Sequence, residues 1–163
     1  MQRSRKAKGM LPRNFVAGGF MRKIKYDLDS IQLRECIKDS LGISGKLEDI
    51  HNSFNWGIRT RETDQITPLH KMYYDNFEYL VSSTWEKFIL EVIAPEMEED
   101  FLYQRIPTFR VQLPGNLAVG EFHRDSEYGH QNGAVNIFIP FTELNKYNTI
   151  LVETVPDSNE YLP

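Results

Sequence analysis

Gly120-Glu121-Phe122-His123-Arg124-Asp125, followed directly by Ser126-Glu127-Tyr128-Gly129-His130, is the stretch on which the reading of this chain turns. It closes an apolar, alternating run over 117–122, and a second run over 135–141 follows after a glycine-containing loop. Successive side chains of a strand point to opposite faces, so a strand carried through this stretch puts His123 and Asp125 on one face. A histidine and a carboxylate so placed are two of the three ligands of a two-histidine, one-carboxylate site, which takes one face of a ferrous ion and leaves the other open. With four histidines and nine aspartates in the chain, chance alone supplies such a pair in roughly one chain in five. The weight therefore rests on context. A pair at the end of a strand, before a loop and a new strand, sits where a jelly-roll barrel opens and where packed strands fix ligand rotamers.

Outward from this centre the period-two pattern recurs. The runs 101–106, 109–113, 117–122, 135–141 and 150–155 read as strands, separated by Pro107, Pro114-Gly115-Asn116, the 123–133 loop and Asn145-Lys146-Tyr147-Asn148. Within 109–113, Arg110 and Gln112 lie two apart on one face. The guanidinium could meet an anionic ligand through charge-assisted hydrogen bonds, and an ordinary surface ion pair is the competing reading. Asn136 opens the strand after the loop, where its amide could meet a carboxylate.

Before residue 96 the period is helical. Thr67-Pro68 is a helix start, with threonine as cap and proline at the first turn. Leu69, Met72, Tyr73, Phe77, Leu80, Val81, Trp85, Phe88, Ile89, Val92 and Ile93 then form one apolar stripe. The pattern predicts one long helix, or two collinear ones with Ser83 and Glu86 as an internal capping box, ending before Pro95. Asp29 is the expected cap of an earlier helix carrying Leu33, Cys36, Ile37 and Leu41 and closed by Gly42. Ser44 is the expected cap of another carrying Leu47, Ile50 and Phe54. His51 and His70 read as structural histidines on these helices.

Composition bounds the rest. A chain of 163 residues with 40% hydrophobic and 26% charged residues supports one domain with a real core. No apolar run reaches the roughly 20 residues of a membrane span. The single cysteine, Cys36, forms no internal disulfide, and a reducing, cytoplasmic setting is the expectation. The net charge of −4 conceals a basic arm, with Arg3, Arg5, Lys6, Lys8, Arg13, Arg22, Lys23 and Lys25 all preceding Asp27. Residues 1–25 are read as a solvated, partly disordered tail. Nucleic-acid binding would rest on that arm alone and is not expected, and neither is a membrane. Residues 26–163 are expected to form a single α+β domain, helical over 26–95 and β-rich over 100–163.

Taken together, Pro107-Thr108-Phe109-Arg110-Val111-Gln112-Leu113-Pro114-Gly115-Asn116, the Gly120 to Asp125 stretch, Tyr128, His130 and Asn136-Ile137-Phe138-Ile139-Pro140-Phe141-Thr142 resemble the Fe(II)/2-oxoglutarate-dependent oxygenases of the phytanoyl-CoA dioxygenase type. The similarity is nearer still to the group named after a streptomycin-biosynthesis protein. It runs from about residue 67 to residue 163, and residues 1–60 add little. The resemblance implies N-terminal helices packed on an incomplete double-stranded β-helix, a jelly-roll or cupin-like barrel. It implies iron on His123 and Asp125, with 2-oxoglutarate chelating the metal; Asn136, Arg110 and Gln112, read above as able to meet an anionic ligand, are then the expected contacts of that co-substrate. A small-molecule substrate would lie toward Tyr128 and His130.

The resemblance also implies a second metal histidine on a late strand and, shortly after it, an arginine for the distal carboxylate of 2-oxoglutarate. No histidine follows His130, so the expectation is a truncated chain, the N-terminal portion of an oxygenase. His130 is read as a substrate contact rather than a third ligand, because facial sites draw that ligand from another strand. No side chain is assigned a catalytic role, and turnover by this chain alone is not expected. Two other readings stand beside this one. His123 and Asp125 could be a hydrogen-bonded structural pair in a non-catalytic β-sandwich binding module. A cupin-like metal isomerase would place a histidine where Asp125 stands.

Overall fold

Thr67 and Pro68 begin the dominant element in the computed structural model, which describes residues 2–3, 22–53, 60, 63, 65–97, 99–114, 123, 127, 129–130, 134–153 and 160–162. The Thr67 backbone is extended, and its Oγ1 accepts the His70 backbone N–H at 3.4 Å. The Thr67 backbone N–H in turn donates to His70 Nδ1 at 3.4 Å. That nitrogen is therefore unprotonated, and the Thr67 hydroxyl, 2.8 Å away, donates to it as well. Threonine and histidine thus cap the helix reciprocally, with Pro68 at the first position as expected.

From Pro68 the chain stays helical to Glu96. α2 (Pro68–Asn76), a π-helical turn (Phe77–Val81), α3 (Ser82–Phe88), a second π-helical turn (Ile89–Ile93) and a short 3-10 turn (Ala94–Glu96) follow without a break. The sequence explains the alternation. Leu69, Tyr73, Phe77, Val81, Trp85, Ile89 and Ile93 recur every fourth residue, and all are buried. Each four-residue step overshoots a 3.6-residue turn by about 40°, so six steps would carry the stripe about 240° around a straight α-helix. Each π turn accommodates one extra residue, about 100° of rotation, and brings the stripe back to the same side. Ser83 and Glu86 form no internal cap, because the helix is uninterrupted there, and Ser82 Oγ instead donates to the Glu78 carbonyl at 2.7 Å. Pro95 lies within the closing 3-10 turn, so the helical run ends at Glu96, two residues beyond the expected stop.

α1 (Leu33–Ser40) packs against this element through Leu33, Ile37 and the following Leu41. Its start lies beyond Asp29. Asp27 takes the capping part in a preceding turn, its Oδ1 accepting the Asp29 N–H at 2.9 Å. Its end is the one expected. Gly42 adopts φ +64, with Gly42 N–H on the Asp39 carbonyl at 3.0 Å and Ile43 N–H on the Lys38 carbonyl at 3.0 Å, a Schellman ending that favours glycine. The segment expected to start at Ser44 is a 3-10 helix (Leu47–Asn52) that follows Lys46. Phe54, assigned to it from the sequence, lies outside the described residues.

Four two-residue strands complete the described secondary structure. β1 (Gln2–Arg3) pairs antiparallel with β2 (Leu102–Tyr103), and β3 (Val152–Glu153) with β4 (Tyr161–Leu162). The pairing of β1 brings the start of the basic arm against the chain that follows the long helix. Of the expected strands, 101–106 and 150–155 contain β2 and β3, while 117–122 lies outside the described residues. Segments 109–113 and 135–141 join no ladder among the described residues. The backbone of residues 104–109 is instead held from the helical layer. Trp85 Nε1 donates to the Gln104 carbonyl and Tyr73 Oη to the Pro107 carbonyl, both at 3.3 Å, while Tyr74 Oη accepts the Phe109 N–H at 3.3 Å. Phe109 stacks on Tyr73 with ring centroids 4.6 Å apart, and Tyr103, Phe109 and Leu113 are buried. No helix among the described residues is long and apolar enough to cross a membrane.

Candidate functional site

Packing of Phe109 and Val111 against the core turns the alternate residues outward. Phe109 and Leu113 are buried and Val111 is half-buried, while Arg110 and Gln112 are exposed. This is the shared face read from the sequence. Arg110 has no ion pair among the described residues.

His123 is exposed, and so is His130. Gly129 precedes His130 with φ +80, a conformation that only glycine takes without strain, so the loop turns sharply there. Asn136 is exposed on the segment that follows. Asp125 and Tyr128 lie outside the described residues. Among the described residues, no group of three histidine, cysteine, aspartate or glutamate side chains is arranged to hold a metal ion.

The other two histidines have structural work. His70 is 3% exposed, caps α2 and meets Phe109 edge-on at 5.6 Å between ring centroids. His51 is half-buried, with Nδ1 3.0 Å from the Glu48 carbonyl oxygen, so that nitrogen carries the proton.

Sequence reading did not single out Arg34 and Glu48. Arg34 Nη2 donates to both Glu48 carboxylate oxygens at 3.0 Å, and its Nε donates to the Phe141 carbonyl at 2.7 Å. The Glu48 carboxyl is held below the usual carboxylate range, foremost by its own backbone N–H, then by the Arg34 guanidinium, the Glu143 backbone N–H and Lys46, against partial desolvation. Nothing local in the sequence marks this pair, because the carbonyl that Arg34 serves is 107 residues away.

The helical layer thus holds residues 104–109 by their backbone, and Arg110, Gln112, His123, His130 and Asn136 are all exposed. The chain is 34% identical over 139 residues to the streptomycin biosynthesis protein StrG of Streptomyces griseus, a match covering 85% of this chain and 67% of that protein. The chain belongs to the StrG family. No model of a known protein family matches it, and no solved structure does.

Proposed function

We propose that this protein is a biosynthetic enzyme of the Fe(II)/2-oxoglutarate-dependent oxygenase type, acting on a small molecule in the cytoplasm. The observation that carries the biosynthetic part is kinship with StrG over 85% of the chain. The oxygenase part is supported by the His123-x-Asp125 spacing at the end of an alternating apolar run, and by the outward face that Arg110 shares with Gln112. The proposed architecture is N-terminal helices packed on a double-stranded β-helix.

An imidazole nitrogen and a carboxylate oxygen are donor types that suit ferrous iron, and His123 is exposed. His123 and Asp125 would hold the metal, and bound iron with 2-oxoglutarate would supply the oxidising chemistry. Arg110 would meet a carboxylate through charge-assisted hydrogen bonds, with Gln112 and Asn136 as neutral donors. Tyr128 and His130 would face the substrate.

The test is anaerobic titration with Fe(II) and 2-oxoglutarate, followed by visible absorption. A metal-to-ligand charge-transfer band is expected for the wild-type chain and should vanish in H123A and in D125A. An identical band in the H123A/D125A double variant would remove these residues from the metal site. Absence of any band, together with unaltered ligand binding by that variant, would leave a non-catalytic binding module.

A further inference from the structure

Residues 22–30 run beside the second half of the long helix in the opposite direction, and three contacts fix their course. Lys87 Nζ donates to the Ser30 carbonyl at 2.7 Å. The half-buried Tyr26 ring meets the buried Phe88 ring edge-on at 5.1 Å between centroids, and Trp85 stacks on Phe88 at 5.7 Å. Arg22 Nη2 pairs with Glu96 Oε2, an oxygen shielded from solvent. Between Phe88 and Glu96 lies the whole of the second π turn (Ile89–Ile93), closed by a bond from the Ala94 N–H to the Ile89 carbonyl.

The lengths agree. The four steps from Arg22 to Tyr26, in a stretch that is neither helix nor strand, span at most about 14 Å. The eight residues from Phe88 to Glu96 rise about 12 Å. The phases agree only while the π turn is kept. From Phe88 to Glu96 the chain takes five steps through 89–93 and three through the closing 3-10 turn, at about 100° and about 120° a step. Were 89–93 plain α-helix, Glu96 would stand about 140° around the axis from Phe88. The π turn takes out about 100° and leaves about 40°. At 40° Arg22 and Tyr26 grip one side of the helix, whereas at 140° the same two grips would lie on nearly opposite sides. Contacts that can be made together in one form only stabilise that form.

We infer that residues 22–30 are a brace that holds the second π turn, gripping its entrance through Tyr26 and its exit through Arg22. The brace sets the phase in which the long helix ends. It thereby sets the side from which the chain leaves toward β2 and the segment that carries Arg110 and Gln112.

Amide hydrogen exchange on the full chain tests it. R22A leaves a shielded carboxylate oxygen without its cation, so exchange in peptides covering 89–96 should rise on the order of tenfold, while peptides covering 68–76 stay as in the wild type. Y26A, which cuts the other end, should loosen the same peptides. A brace acts only with both ends fastened, so R22A should add little in the Y26A background. Rises that multiply in the double variant would make the two contacts independent and overturn the inference, as would unchanged exchange over 89–96 in R22A. The charge exchange R22E/E96R should recover protection lost in R22E, and no recovery would count against the ion pair as the outer grip. Deleting Leu90, 45% exposed in this turn, lets the helix run as plain α-helix with Glu96 in the same phase. In that background R22A should change exchange over 89–96 by under about threefold, as for an ordinary surface pair. A rise as large as in the wild type would show that the ion pair has no bearing on the π turn.

Discussion

At Tyr73 the ring and the hydroxyl perform separate tasks. The ring is 1% exposed, stacks on Phe109 and meets Phe77 edge-on at 5.6 Å, while the hydroxyl donates to the Pro107 carbonyl. Burial pushes the Tyr73 hydroxyl well above the ordinary tyrosine value, with Tyr74 adding to the shift, so it remains a donor throughout the neutral range. Y73F should therefore lose only the hydrogen bond, about 1 kcal/mol. Y73A should open a cavity under Phe109 and cost about 3–5 kcal/mol. Denaturant unfolding of the two variants checks the separation, and equal losses would refute it. Residues of this kind are legible in a sequence to the extent that their partners are close. Thr67 and His70 are three apart, so the cap start was readable from Thr67-Pro68, although not the part played by the imidazole. Arg34 and Phe141 were not, because no local pattern encodes a contact closed through the whole fold.

Among the elements, the long helix was the most legible and its form the least. The apolar stripe identified it, but eleven candidate positions read as a broad face hid the stricter series within them. Leu69, Tyr73, Phe77, Val81, Trp85, Ile89 and Ile93 keep an unbroken spacing of four, which a uniform α-helix cannot hold on one side. The same arithmetic makes a prediction at Tyr79, 88% exposed in the first π turn. Deleting Tyr79 shortens the step from Phe77 to Val81 to three residues, which an ordinary α-helix also keeps on its buried side. Inserting alanine after Tyr79 lengthens the step to five and turns the following stripe by about 140°. The deletion variant should stay folded, and the insertion variant should lose its cooperative thermal transition by circular dichroism. The reverse order would rule out the π turns as phase correctors. The strands were less legible for a different reason. Alternation tells which residues face in, as at Phe109 and Leu113 against Arg110 and Gln112, but it does not tell what the backbone is bonded to.

Across the whole molecule, the helical layer and the C-terminal half are joined by a few directed bonds, and one of these titrates. The folded-state carboxyl of Glu48 lies below its ordinary value of 4.5. Its contribution is therefore fully present above that value and lost as pH falls through the lowered one. Protonation releases the Arg34 guanidinium, so amide exchange over 134–143, corrected for its intrinsic pH dependence, should rise on acidification before exchange over 68–96 does. E48Q should remove that acid step, and its persistence would assign the step to another group. The candidate motif could be picked out because it is contiguous in sequence, whereas the bonds of Arg34 join α1, the 3-10 helix and Phe141 and are written in no single stretch.

The three side chains that reach from the long helix to the backbone of residues 104–109 also bear on how this protein meets copies of itself. An extended segment with unsatisfied N–H and C=O groups is a template for pairing with another chain. Here the Gln104 and Pro107 carbonyls and the Phe109 amide are already occupied by Trp85, Tyr73 and Tyr74. Two tyrosines and a tryptophan therefore act as a guard rail. They let an apolar segment lie close to the surface while withdrawing from neighbouring molecules the groups through which a shared sheet would begin.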